Sequence, residues 1–376
     1  MTGKWEISIT GCESYDPVRV REALSQVTLD VGGLDFVKPG MKIALKANLV
    51  TAAAPEKALV THPEVLRALC DLLTTRGATV VIGDSPSGSF QEAYLNHVYK
   101  LSEMENLVRE GVSLNHNFKQ IPASYPEAKV LKTLTYAAWL ADCDAIICVC
   151  KLKTHGMMKL SANTKNMFGA IPGTMKLEYH YRFPDHEDFA DMLVDINEFL
   201  KPVLYVTDAV LAMEGNGPTA GTPRKIGALM AGRNPYALDY MCAEIIGLDP
   251  MDVPTVKAAW ERGLYERPDS AAYLAWMQKD FKNPHPKDIE FGGYLPKPLI
   301  PIIRSAMQSR PQVRKRECIG CRKCQQICPA KAIHMEKGKP VIDRNQCIRC
   351  FCCQEFCPKG AMKVQRPMAA RVLARL

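Results

Sequence analysis

The chain of 376 residues is 47% hydrophobic, enough to bury a full core and to divide into two or three domains. No apolar run approaches the ~18 residues that a membrane-spanning helix needs, and the start, MTGKWEISIT, has neither a charged-then-apolar leader nor twin arginines, so the expected compartment is the cytoplasm. Residues 311–376 carry 15 Lys and Arg against 4 Asp and Glu while the whole chain is only +8, so positive charge is concentrated at one end and the first 310 residues are mildly acidic.

In chain order, residues 1–292 read as an α/β domain. Trp5–Thr10 alternates as a first strand, and Asp16-Pro17 supplies an N-cap and first-turn Pro for a helix ending near Gly32-Gly33. Met41–Lys46 is a second strand. Thr61-x-x-Glu64 has the spacing of a capping box, opening a helix whose Val65, Leu66, Leu69, Leu72 and Leu73 form one face and which stops at Gly77. Ala78–Ile82 and Asp144–Cys150 are continuous apolar runs, the mark of strands covered on both faces, and Val203–Thr207 and Ile226–Met230 are further strands. The predicted fold is a mainly parallel sheet with flanking helices.

Polar chemistry collects after the predicted strands, where an open parallel sheet binds ligands. The loops are Lys46–Asn48, Gly83–Gly88, Lys151–Gly156, and Thr207-Asp208 leading to Met213–Pro218, with Asn163–Gly169, Lys176 and His180 nearby. Many cations and amides with few acids point to an anionic small molecule, a carboxylate or phosphate, held by Lys151, Lys153, Lys165 and Asn166. His155 helps to position it, and Asp84, Asp208 and Glu214 are the candidate proton-handling groups. The ordinary readings are a plain turn at Gly83–Gly88, solvated lysines, a His155 bonded to backbone, and carboxylates that cap helices. Ser85 lies in neither G-x-S-x-G nor a P-loop pattern, and no G-x-G-x-x-G follows a strand, so no dinucleotide is predicted.

Residues 293–311 are Pro-rich and read as a linker. Beyond it, in 312–376, Cys318, Cys321, Cys324 and Cys328-Pro329 recur 29 positions later as Cys347, Cys350, Cys353 and Cys357-Pro358. This doubled C-x2-C-x2-C-x3-C-P run suits two cubane clusters, because closely spaced thiolates on a tight loop reach three corners of one cube. A zinc ribbon needs only four ligands, and fifteen Cys in a chain without a leader argue against a disulfide framework.

The segment resembles the bacterial two-[4Fe-4S] ferredoxin domain over about residues 312–366. That resemblance implies two [4Fe-4S] clusters with the fourth Cys exchanged: Cys318, Cys321, Cys324 and Cys357 on one, Cys347, Cys350, Cys353 and Cys328 on the other. Cys352 is an extra thiol, read as a small buried hydrophobe. The strings KANLV, GDSPSG, KLKTHG, NTKNMFGAIPG and MEGNGPTAG resemble the domain-of-unknown-function family numbered 362, over about residues 5–290. This implies an α/β domain fused to iron–sulfur centres, draws attention to the Lys151–Gly156 and Asn163–Gly169 loops, and implies no reaction.

The expected function is a redox protein whose C-terminal clusters pass single electrons to or from an anionic-ligand site in the α/β domain. The alternative is a non-catalytic electron carrier or docking factor. The basic C-terminal part suggests an acidic electron-transfer partner such as a ferredoxin. Its tail, RPMAARVLARL, lacks interleaved aromatics, so no nucleic-acid partner is expected.

Overall fold

A computed structural model describes residues 7–283 and 310–365. The larger body is built on one eight-stranded sheet. Its strands are β1 (Ile7–Gly11), β2 (Lys42–Lys46), β3 (Thr79–Gly83), β4 (Val112–Leu114), β7 (Ala145–His155), β8 (Lys159–Ser161), β9 (Leu204–Asn216) and β10 (Ala220–Gly232). A separate hairpin joins β5 (Gln120–Ser124) to β6 (Thr133–Ala137). The order across the main sheet is β1-β10-β9-β7-β2-β3-β4, with β8 folded back on β7.

Pairing is parallel from β9 through β7, β2 and β3 to β4. It turns antiparallel at β9–β10 and β10–β1. A short connection between β9 and β10 leaves only the antiparallel arrangement open to them. The sheet is thus mainly parallel, with the predicted first strand and Ile226–Met230 on its antiparallel side.

Helices cover both faces. On one lie α1 (Pro17–Asp30), α2 (Pro63–Thr74) and α3 (Glu92–Leu101), packed on Ile43, Leu45, Val80, Ile147 and Val149. On the other lie α4 (Asn163–Asn166), α5 (Met175–Arg182), α6 (His186–Leu200), α7 (Pro235–Ile245) and α8 (Pro254–Glu261), with Cys148, Cys150 and Leu152 beneath several of them. The period of two along β7 thus sends Ile147 and Val149 to one layer and Cys148, Cys150 and Leu152 to the other.

The cap at the start of α1 is as predicted, Asp16 accepting from the Arg19 N–H. At α2 the predicted capping box does not form. The cap is His62, whose Nδ1 accepts from the Glu64 N–H, because Thr61 Oγ1 is used inside the sheet, accepting from Asn48 N–H and donating to Val149 O.

The predicted loops at Lys151–Gly156 and at Thr207-Asp208 leading to Met213–Pro218 are also corrected: Lys151–His155 belong to β7, and Thr207, Asp208 and Met213–Asn216 to β9. All eleven residues of β7 are buried. The strands run on past these charges because they neutralise one another inside the sheet: Lys151 and Asp208 face each other across β7 and β9, are both fully buried and lie 2.6 Å apart, Nζ to Oδ2.

The smaller body repeats one pattern twice, a Cys-bearing loop followed by a four-residue helix, α9 (Lys323–Gln326) and α10 (Cys352–Glu355). Two antiparallel pairs close it: β11 (Arg310–Val313) with β14 (Met362–Gln365), and β12 (Ile333–Glu336) with β13 (Lys339–Ile342). Residues 293–309 of the predicted linker and the tail from residue 366 lie outside the described residues. Among the described residues, no helix is long and apolar enough to cross a membrane.

Candidate functional site

The eight cysteines of the doubled motif sort into two sets, and none is in a disulfide. Cys318, Cys321, Cys324 and Cys357 line one small cavity with Ile319, Arg322, Lys323 and Lys359. Cys328, Cys347, Cys350 and Cys353 form the second set, close enough that Cys347 and Cys350 raise the pKa of both Cys328 and Cys353. In each set the fourth cysteine comes from the other repeat. Burial first, then the neighbouring thiols, keeps Cys324, Cys328 and Cys353 protonated when no metal is bound.

Peptide N–H groups of Gly320, Ala332 and Ala361 donate to the sulfurs of Cys318 (3.4 Å), Cys328 (3.2 Å) and Cys357 (3.2 Å). Ala332, Ile333, Ala361 and Met362 are buried beside them. Thiols around a cavity, donors aimed at sulfur and small apolar cover are the surroundings that a cubane cluster needs. Among the described residues no three His, Cys, Asp or Glu side chains converge on one point as a single bound ion requires. The thiols, the donors to sulfur and the apolar cover therefore fit two cubanes.

Beside the second set lies a cleft at the carboxyl ends of β2, β3 and β7. Lys46, Lys153, Lys165 and Lys176 line it, against only two carboxylates, Asp84 and Glu355. Lys46 continues the phase of Ala44 on β2, and its Nζ meets Asp84 Oδ1 at 2.8 Å and Asn166 Oδ1 at 3.0 Å. Asp84 also accepts from the backbone N–H groups of Leu49 (2.7 Å) and Ser85 (2.8 Å), so both its oxygens are engaged. Gly169 is tightly packed here: a Cβ would fall on Asp84 Oδ1 and Lys46 Nζ, so one of these side chains would have to move.

Lys153 donates to Asn48 Oδ1 (2.6 Å) and Leu59 O (2.9 Å), and Lys176 to Ser85 O (2.8 Å) and Ile171 O (2.6 Å). Burial pulls both ammonium groups down to about 7. Lys165 is different. Its Nζ sits 5.9 Å over the Phe168 ring and, among the described residues, makes no hydrogen bond or salt bridge. His180 is stacked on Phe189 at 4.5 Å, its Nδ1 lacks a hydrogen-bond partner among the described residues, and burial lowers its pKa to about 3.

The cleft's remaining wall is the second cysteine loop itself: Cys352, Glu355 and Phe356 line it. His155 Nδ1 accepts from the backbone N–H groups of Met157 (3.0 Å) and Met158 (3.1 Å), which leaves Nε2 to carry the proton and donate it to Glu355 Oε1 at 2.8 Å. Burial alone would raise the Glu355 carboxyl, but Lys165 and His155 outweigh it and hold it at about 2, while burial lowers His155 to about 4. The pair is a neutral imidazole donating to a carboxylate. Gln354 Nε2 donates to Asn216 O (3.0 Å) and Gly217 O (3.3 Å) at the β9–β10 turn, and a Cβ on Gly156 would meet Gln354 Oε1 at 2.9 Å.

Of the residues singled out from sequence, Asp84, Lys153, Lys165 and Asn166 line the cleft, and His155 holds its wall. Lys151, Asp208 and Glu214 are not among its lining residues. Lys151 donates to Asp208 and to Tyr15 OH (2.7 Å), and Glu214 holds Lys282 through its backbone N–H (3.1 Å). From sequence, Glu355 went unmarked, and Lys46, Lys176, His180 and Cys352 were marked without a role in the cleft. One signal was available: Glu355 occupies the repeat position of Gln326, so the two cysteine loops differ where the second meets the cleft.

Known proteins agree with this organisation. A 4Fe-4S dicluster domain matches residues 310–358, so the protein carries two [4Fe-4S] clusters and has an iron–sulfur electron-transfer role. A thylakoid-associated protein of Synechocystis sp. is 32% identical over 301 residues, covering 79% of this chain and 89% of that one. Among solved structures, the lactate racemase apoprotein from Thermoanaerobacterium thermosaccharolyticum aligns with a TM-score of 0.42 and 11% identity over 64% of this chain and 57% of its own. A Thermotoga maritima protein aligns at 0.38 and 14% over 68% and 61%. The chain thus spans less than two thirds of either solved structure. The Domain of unknown function (DUF362) family matches residues 43–244, and with the two-cluster module behind it this chain belongs to that family.

Proposed function

We propose that the protein passes single electrons between its second cluster, held by Cys328, Cys347, Cys350 and Cys353, and an anionic small molecule bound in the lysine-lined cleft. The observation that carries this reading is that α10 does both jobs: it bears Cys353 and lines the cleft with Cys352 and Glu355. A bound [4Fe-4S] cluster supplies one-electron chemistry. The first cluster falls to Cys318, Cys321, Cys324 and Cys357.

Lys165 is the anion anchor, because it is the cleft lysine without a hydrogen bond or salt bridge among the described residues. Lys153 and Lys176 add charge when protonated, and Asn166 with Asp84 fixes Lys46. His180, held neutral by burial, offers its unpartnered Nδ1 to the ligand; Asp84, with both oxygens bonded, positions Lys46. Lys151 and Asp208 stabilise the sheet as a buried pair, and Glu214 ties down the segment at Lys282.

The test uses anaerobically prepared full-length protein with both clusters. Dithionite-reduced samples are followed by EPR while a panel of carboxylates and phosphates is added. One anion should perturb the reduced signal, and Lys165→Gln should weaken that response about tenfold or more, the loss of a charge-assisted bond. If no anion acts on a fully loaded protein, the cleft is not a substrate site and the protein is a carrier or docking factor.

A further inference from the structure

The two cysteine loops are copies in sequence with opposite surroundings. In the second, Cys350, Phe351, Cys352, Cys353 and Gln354 are 9%, 3%, 1%, 7% and 0% exposed. At the matching positions of the first, Cys321, Arg322, Lys323 and Gln325 are exposed and Cys324 is half-buried. Ile319 beside them is 60% exposed. Arg322 and Lys323 thus stand where the second copy has the buried Phe351 and Cys352.

The cavity of the first set has Arg322, Lys323 and Lys359 on its lining and no carboxylate. Next to Cys318 in the chain, Arg314, Lys315 and Arg316 are exposed as well, as is Lys337 beside Gly338, which packs on Gly320. The acids of this region are engaged: Glu317 pairs with Arg314 at 3.1 Å and Glu336 with His334 at 2.9 Å. An exposed thiol ligand, a single apolar side chain and a ring of cations make a face suited to brief docking, with the field steering encounter and small apolar contact allowing release.

We propose that this face, Ile319 with Arg322, Lys323 and Lys359 around Cys321, is the docking port for an acidic one-electron carrier protein. The inference rests on the reading that the second loop serves the cleft. The carrier gives up one electron and is oxidised by one unit; the protein gains that electron at the Cys321 loop and holds it available at the Cys353 loop. No bond forms or breaks and no proton is required at the port.

The experiment is stopped-flow reduction of the full-length, two-cluster protein by a reduced acidic bacterial ferredoxin at several ionic strengths. Photoreduction with a neutral deazaflavin serves as the control. Arg322→Glu, Lys323→Glu and Lys359→Glu combined should lower the second-order rate at low salt about tenfold or more and abolish its decline with salt. Lys119→Glu, an exposed charge on the larger body, should change little. Iron content and the deazaflavin rate should stay as in the parent. An unchanged ferredoxin rate and salt slope in the triple variant, with eight irons retained, overturns the port. Because the anion response through Lys165 is read without any carrier, its survival or loss shows whether the port alone or the cleft reading has failed.

Discussion

His155 Nε2 donates to Glu355 Oε1 at 2.8 Å across 200 positions of chain, and Glu355 stands two residues from both Cys353 and Cys357. The contact joins the end of β7 to the helix that bears Cys353. Because Met157 and Met158 fix the imidazole tautomer, it has one direction and one partner.

Removing His155 leaves Glu355 with Lys165 as its main countercharge. His155→Ala should destabilise the metal-loaded protein by about 3 kcal/mol, the scale for leaving one partner of a buried pair behind. His155→Gln, which can still donate, should recover part of it. Anaerobic denaturant titration of the loaded protein checks this, and equal stability of His155→Ala and the parent would remove the pair from the account.

Cys352 sits inside the second loop, and its thiol hydrogen-bonds Cys350, holding that sulfur's pKa below its usual value while its own is driven up. Hydrogen bonds to ligand sulfur favour the reduced, more negative cluster. Cys352→Ala should therefore lower one of the two midpoint potentials by about 40 mV, taking ~1 kcal/mol for the bond. Iron content should not change. A potential that stays put while iron is lost would instead make Cys352 a ligand.

Anion binding should weaken as pH rises through about 7. The ammonium groups of Lys153 and Lys176 are pulled down to that value by burial, so each is charged below it and neutral above. Folding has the opposite trend: the unfolded chain keeps these lysines protonated up to about 10.5, so both contribute rising stability between about 7 and 10.5. Lys153→Met should flatten the pH dependence of the EPR response, and a response independent of pH in the parent would show that neither amine faces the anion.

Gly169→Ala should cost about 1–3 kcal/mol, the range for overpacking a tight site, and should loosen the anion response by displacing Lys46 or Asp84. Melting temperature and anion titration are read together; a neutral substitution would mean that the cleft floor is softer than its contacts imply.

The cluster framework and the sheet were legible for different reasons. Eight cysteines in two equal spacings carry their own geometry, and continuous apolar runs such as Ala78–Ile82 and Asp144–Cys150 announce a buried sheet. The ends of β7 and β9 were not legible. Lys151 and Asp208 look like loop residues until one sees that each cancels the other inside the sheet, 57 positions apart. Thr61 has the spacing of a helix cap, but a strand carbonyl, Val149 O, takes its hydroxyl. The cleft was half legible: Lys46, Lys153, Lys165 and Asn166 stood in marked strings, but Lys46 reads as the end of a strand until its bond to Asp84 is seen, and Glu355 gains its meaning only from a partner in the other body.

The most direct measurement is an EPR-monitored redox titration of the two clusters with and without the anion that perturbs the reduced signal. One midpoint potential should move, it should be the one displaced by Cys352→Ala, and Lys165→Gln should remove the movement. A shift confined to the other cluster, or an equal shift of both, would contradict electron exchange between the second loop and the cleft.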